Sequence, residues 1–312
     1  MSRWQLRKVP FKFQLSDLTL FALAIPLQVR AERLGQDAAP VAEFQLPLRE
    51  LEPGSEGFVV RGLPVAQALP PLTRRDGYLV YVPQQYPHFF IDLTIGFDRY
   101  QSKFSSKTRS TILRKVRKWT EHCGGTLDWR SYRTPDEIDA FFAAAVPLSK
   151  RTYQDRLLDS GLPDDAAFRT AARAMAAQDR ARGYILFHQG TPVSYIYCPV
   201  EDGVLSYAYV GYHPDYLQYS VGTVLQWLAV EQLFGEGTFR YFDFTEGQAD
   251  HKRMFATDQR LCANVFAVRQ GWRNNAVIRA HRAMDGLSAW LGELVERHGL
   301  KSRIKRMLRF AR

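Results

Sequence analysis

Over the first hundred residues the apolar positions fall in short runs bounded by Pro, Gly and polar turns, the pattern of strands rather than helices. Gly57-Phe58-Val59-Val60-Arg61-Gly62 and Tyr78-Leu79-Val80-Tyr81-Val82-Pro83 read as strands closed by breakers, and His88–Leu93 is a third candidate. Leu18–Leu27 follows Arg3, Arg7, Lys8 and Lys12 and looks like a short signal-peptide core. Asp17 and Pro26 bound it closely, Val29-Arg30-Ala31-Glu32 is a poor cleavage site, and the run is well short of the roughly 20 apolar residues that span a bilayer. A buried strand is expected there.

The period then changes from two to about 3.6. From Ser105 or Ser106 to His122, Ile112, Leu113, Val116 and Trp119 recur at helical spacing, and Gly124-Gly125 stops the run. Thr134-Pro135-Asp136-Glu137 predicts a helix start, with Thr as N-cap, Pro in the first turn and Glu closing a capping box. The Ala-rich stretch Asp164–Arg182 predicts a further helix ended by Gly183. Tyr184–His188, Val193–Val200 and Val204–Gly211, separated by Gln189-Gly190-Thr191-Pro192 and Glu201-Asp202-Gly203, predict a three-stranded antiparallel meander. Ser220–Phe234 returns to helical spacing. Phe239–Phe244 and Leu261–Val268 read as strands, and Trp272–Arg297 as a terminal helix or helix pair. This order is that of a layered α/β protein.

The 312 residues are 46% hydrophobic and 24% charged, which excludes a globally disordered chain. The net charge of +10 is unevenly placed. Arg99 to Lys118 holds eight Lys or Arg and no acid, and Arg297 to Arg312 holds seven more without one. Such runs attract phosphates in a CoA-like molecule, an anionic membrane or nucleic acid, or simply solvate a helix face. Nucleic acid is the least favoured, since neither a recognised helical module nor a sheet face with interleaved aromatics is evident. Cys123, Cys198 and Cys262 lack metal-ligand spacing and cannot all pair with one another, so no metal is expected and a reducing compartment is. Gly-rich dinucleotide and P-loop signatures, a Gly-x-Ser-x-Gly elbow and a His-Glu-x-x-His helix are all lacking.

Four pieces in order carry a family resemblance. They are the basic entry Ser105–Lys118; Ser149-Lys150-Arg151-Thr152-Tyr153-Gln154; the meander ending Tyr212-His213-Pro214-Asp215-Tyr216 before Ser220-Val221-Gly222-Thr223; and Phe242-Asp243-Phe244-Thr245-Glu246-Gly247 with Asp250-His251-Lys252-Arg253-Met254-Phe255. Together they resemble the BioF2-like or CelD-like acyltransferases of the GNAT superfamily, relatives of the FemABX peptidyltransferases. Val221 stands where many of those have Pro. The resemblance implies a GNAT-type mixed sheet flanked by helices, two such lobes in tandem, and a division into a degenerate lobe 1–126, an acyltransferase lobe 127–271 and a basic helical tail 272–312. It also implies acyl transfer from acyl-CoA or an acyl-carrier protein thioester to an amine of a sugar, lipid or amino-acid derivative. Two alternatives stay open: an aminoacyl-tRNA-dependent ligase, and a noncatalytic membrane-associated partner in polysaccharide assembly. A cytoplasmic protein is expected, its tail either lying on the inner face of an anionic membrane, which would make it peripheral, or docked as a helix with a solvated basic face.

Ser220, Val221, Gly222 and Thr223 lie at a strand-to-helix junction, where free N–H groups and the helix dipole suit a pyrophosphate, or where Ser220 is a plain N-cap. Asp243 and Glu246 bracket the end of a buried strand; a carboxylate there can take the proton of an attacking amine, with Glu246 the first choice and Asp243 second. Lys252 suits phosphate or the thioester oxygen, and His251 is an alternative base. Lys150 and Tyr153, implied by the resemblance, and Tyr212 are candidates for the acceptor side.

Overall fold

The computed structural model describes residues 4–15, 18–35, 39–152 and 161–297. They divide into two units: residues up to Tyr86 with those from Leu261 onward, and Pro87–Arg260. The first unit thus takes strands from both ends of the sequence. The basic helix, assigned from sequence to the lobe 1–126, lies in the second unit.

In the first unit, β1 (Gln5–Leu15) pairs antiparallel with β2 (Leu18–Ala31), β2 parallel with β3 (Gly57–Pro64), and β3 antiparallel with β12 (Asp258–Arg269). β4 (Leu72–Arg75) pairs antiparallel with the start of β5 (Tyr78–Asp92). Alternation along the strands makes two cores. Phe58, Val60, Val80, Val82 and Val265 face one side, and Val59, Leu79, Tyr81 and Val268 the other. The latter side meets the terminal helix, Trp272–Arg297, through Ile278. The expected strand at Leu18–Leu27 is β2, but it is buried only from Ile25 onward. Leu20, Phe21 and Leu23 are 48%, 50% and 42% exposed; β3 pairs with β2 only at Gln28–Ala31, so this first part of β2 has no strand on that side.

In the second unit the sheet order is β5, β11 (Tyr241–Asp243), β9 (Val204–Ser206), β8 (Thr191–Glu201), β7 (Ala181–His188) and β6 (Trp129–Tyr132), with β10 (Tyr209–Tyr212) also on β8. The helices, in chain order, are α1 (Phe97–Ser102), α2 (Ser106–His122), α3 (Pro135–Ser149), α4 (Ala166–Ala177), α5 (Val221–Glu236) and α6 (Asp250–Phe255), with α7 being Trp272–Arg297 of the first unit. Successive residues of β7 face opposite ways, as the pleat requires. Tyr184 and Leu186 join the core shared with α1, α2 and α5; Ile185 and Phe187 join that of α3 and α4. This is a helix–sheet–helix layering, the expected α/β class.

Local signals set the helix ends. Thr134 and Glu137 form the full capping box, and Ser105 caps α2 by accepting from Thr108 N. α4 stops short of the expected Arg182. Asp179 takes φ 56° and Arg182 enters β7, where it is 1% exposed and holds Glu236 at 2.9 Å and Asp179 at 2.8 Å. Among the described residues no helix is long and apolar enough to cross a membrane. The basic segment 298–312 and Tyr153 lie outside the described residues.

Candidate active site

The predicted third strand of the meander is broken, and the break makes the site. β9 runs parallel to β11, Val204–Ser206 against Tyr241–Asp243, and Tyr207 N then donates to Asp243 O at 2.8 Å. Past that bond the two chains part. β10 stays on β8, from Tyr209 opposite Tyr197 to Tyr212 opposite Ser194, while Phe244 N turns the other way to Phe89 O. Among the described residues no ladder bond joins β10 to the segment after Asp243, so a wedge opens between them, with one edge of β10 unpaired. Tyr207 stands at the apex. Its ring lies 5.4 Å from that of Phe242 and 5.5 Å from that of Phe244, and burial pushes its phenol well above the usual range.

The start of α5 faces the end of β10. The 3-10 turn Pro214–Tyr219 carries the chain to Ser220, which sits in the left-handed region at φ 56°, ψ 38°. Its carbonyl accepts from Thr223 N and Val224 N, but its side chain makes no capping bond. The N–H groups of Val221 and Gly222 have no acceptor among the described residues. They keep the donor capacity that every helix start leaves over. Gly222 is beside Tyr212: an added Cβ would lie 3.6 Å from Tyr212 Cδ1, an ordinary contact.

The other lip is the loop after β11. Asp243 is 9% exposed; its Oδ1 meets His88 Nε2 at 2.5 Å and accepts from Thr245 N at 2.6 Å. Thr245 also has positive φ, 59°. Of the non-glycine residues with positive φ, Asp76, Gln189 and Asp202 each precede a glycine in a hairpin turn, where that conformation is ordinary. Asp179 ends α4, and the remaining two, Ser220 and Thr245, both border the wedge. Lys252 folds back from α6 to donate from Nζ to Glu246 O at 2.5 Å, passing 3.2 Å from where a Cβ on Gly247 would be. Desolvation lowers the Lys252 pKa, against the pull of Asp243 and Glu246. Desolvation, then the Lys252 charge, lowers that of His251, whose ring is 6.3 Å from Tyr207.

Residues 106–253 match the family model described as "Acetyltransferase (GNAT) domain". This stretch is a GNAT domain. Among solved structures, the C-terminal domain of a putative lysylphosphatidylglycerol synthetase from Agrobacterium fabrum is similar at 10% identity, over 74% of this chain and 72% of that one, with a TM-score of 0.48. FemX is similar at 9% identity over 85% and 88%, with a TM-score of 0.48. An aminoglycoside acetyltransferase from an uncultured soil metagenomic sample is similar at 12% identity over 44% and 86%, with a TM-score of 0.31. No curated protein matches the sequence significantly.

Within the GNAT domain, Ser220–Thr223 and Tyr212 lie at one lip of the wedge, and Asp243, Glu246, His251 and Lys252 at the other. Glu246 is exposed, whereas Asp243 is committed to His88 and Thr245. Lys150 is exposed at the end of α3 and pairs with Asp164 at 3.4 Å. Tyr207 and Lys103 were not among the sequence candidates. Lys103 donates to Met254 O at 2.8 Å, and burial lowers its pKa to about 8. Burial raises the Cys198 thiol far above neutrality, which excludes it as a nucleophile. Among the described residues no three His, Cys, Asp or Glu side chains converge as metal ligands.

Proposed function

We propose that the wedge holds an acyl thioester and that the domain moves its acyl group to the amine of a sugar, lipid or amino-acid derivative. The observation that supports this most is the parting of β10 from β11 beside the uncapped start of α5. The unpaired edge of β10 offers backbone N–H and C=O groups to an extended amide-bearing arm, as a strand edge does. The Val221 and Gly222 N–H groups suit a pyrophosphate at the arm's far end. That combination fits acyl-CoA as the donor.

In the transfer, the acceptor nitrogen attacks the thioester carbonyl, the C–N bond forms, and the C–S bond breaks with departure of the thiolate. The nitrogen gives its proton to a base; Glu246 is open to solvent at the lip and serves, directly or through a water. Lys252 meets negative charge on the thioester oxygen or donor phosphate. Asp243, held by His88, fixes the loop that carries Glu246. Steady-state kinetics over a panel of acyl-CoA donors and amine acceptors test the reading. Glu246→Gln lowers kcat by about 10²–10⁴-fold while the melting temperature holds. Full activity in Glu246→Gln, Asp243→Asn, His251→Ala and Lys252→Ala together would remove the acyltransferase assignment.

A further inference from the structure

Helix α2 turns Ile112, Val116 and Trp119 inward, where they join the core shared with α5. On its flank run two ridges at i, i+4, i+8 spacing, Ser106-Ser110-Arg114 and Arg109-Leu113-Arg117. With Phe104 from the preceding turn they line an open surface depression of about 480 Å³. Arg109, Arg114 and Arg117 are exposed and have no ion-pair partner among the described residues. Several other arginines of the same unit are paired: Arg130 with Asp128, Arg133 with Asp179, Arg173 with Asp136 and Arg182 with Glu236.

The helix also bears this charge against its own interest. Its first turn contains no acid and holds Lys107 and Arg109, where the macrodipole favours negative charge. Arg114 and Lys118 add a like-charge pair at i, i+4. Both destabilise the helix in the free protein, and a bound polyanion would relieve them together.

We propose that this groove binds a small molecule carrying a diphosphate ester, at a site separate from the donor-binding start of α5. Arg114 and Arg117, neighbours at i, i+3, converge on one phosphoryl group. Arg109, with the Ser106 and Ser110 hydroxyls, takes the second. Leu113, 45% exposed, gives an apolar surface for the organic part. A single phosphate would leave one end of the arginine set without a partner, so a diphosphate fits better. The inference does not depend on the acyl-transfer reading, because its test reads binding alone.

The full-length chain is titrated by calorimetry, and melted, with uridine diphosphate, geranyl diphosphate, inorganic pyrophosphate and inorganic phosphate. The expected result is that at least one diphosphate ester binds about tenfold more tightly than inorganic phosphate and raises the melting temperature. Loss of a charge-assisted hydrogen bond costs about tenfold or more in affinity. Arg109→Gln with Arg117→Gln therefore weakens binding by at least that factor, while the melting temperature of the free protein stays level or rises. A preference for uridine diphosphate assigns a nucleotide, and a preference for geranyl diphosphate a lipid-linked molecule. Three results overturn the proposal: no diphosphate binds; the double variant binds as the parent does; or Gly222→Asp abolishes binding that the arginine variant retains. Displacement of every diphosphate by a short RNA, with an affinity falling steeply in salt, would make the surface a nucleic-acid contact instead.

Discussion

Replacing Lys252 by arginine separates its charge from its titration. The pKa of Lys252 is lowered, chiefly by desolvation, so it gives up its proton at a lower pH than an ordinary lysine. A rate that uses its charge therefore falls on the alkaline side as pH rises through that lowered value. Arginine stays charged, so Lys252→Arg is expected to carry the rate to higher pH; identical alkaline limbs in a pH–rate profile would mean that the charge plays no part. Lys103 makes the corresponding point for stability. In the folded chain its pKa is about 8, against 10.5 for the free side chain. Between those values the unfolded chain binds more protons, so the cost of burying this group falls away, and stability rises, as pH rises across the window. The melting temperature of Lys103→Met relative to the parent should accordingly decline from pH 8 to 10.5, and a flat difference would refute the shift. At this scale the sequence was informative about residue type and less so about partnership. Asp243 and Glu246 were both legible as carboxylates after a buried strand. The burial of Asp243 was not, because its partner is His88, 155 positions away.

Among elements, the start of α5 gives the sharpest test of the proposed donor site. Gly222 has room for a Cβ, so Gly222→Ala is expected to fold and bind acyl-CoA nearly as the parent does. Gly222→Asp adds bulk and a charge that repels phosphate, and is expected to lose donor affinity with the melt unchanged; calorimetry showing equal affinity for every acyl-CoA would place the donor elsewhere. The other end of α5 is tied to β7 by Arg182, whose side chain is 1% exposed between Glu236 and Asp179. Removing one member of a buried ion pair costs about 3–5 kcal/mol; Asp179 is itself nearly half exposed, which puts Arg182→Ala toward the low end, readable in a denaturant melt. Caps and hairpin turns were legible because their signals are local: Thr134 with Glu137, Gln189-Gly190, Asp202-Gly203. The break in the third meander strand was not. Val204–Gly211 has no Pro and no breaker before its end, and only the pairing of β9 with β11 across the sheet decides where the ladder stops. The end of α4 was misread for a related reason. Its alanines favour helix beyond Ala177, but burial of Arg182 in β7 overrides that propensity.

At the level of the whole molecule, the two units differ in how they are cut from the sequence. Pro87–Arg260 is one continuous segment with its own two cores, and residues 87–260 expressed alone are expected to melt cooperatively. Residues 1–86 alone lack β12 and the terminal helix that cover and complete their sheet, and are expected to stay unfolded by circular dichroism; a cooperative melt from that piece would contradict the division. The layered α/β class could be inferred from the succession of periods. The return of the last strand to the first unit could not, since Leu261–Val268 looks the same whichever sheet it joins. That return has a consequence for synthesis. The ribosome must make 174 residues, 87 to 260, before the partner strand of β3 emerges, which at about 5–20 residues per second takes on the order of 10–35 s. Throughout that interval Phe58, Val59 and Val60 have no β12 to pair with, so the nascent amino-terminal segment is a natural client for a holding chaperone.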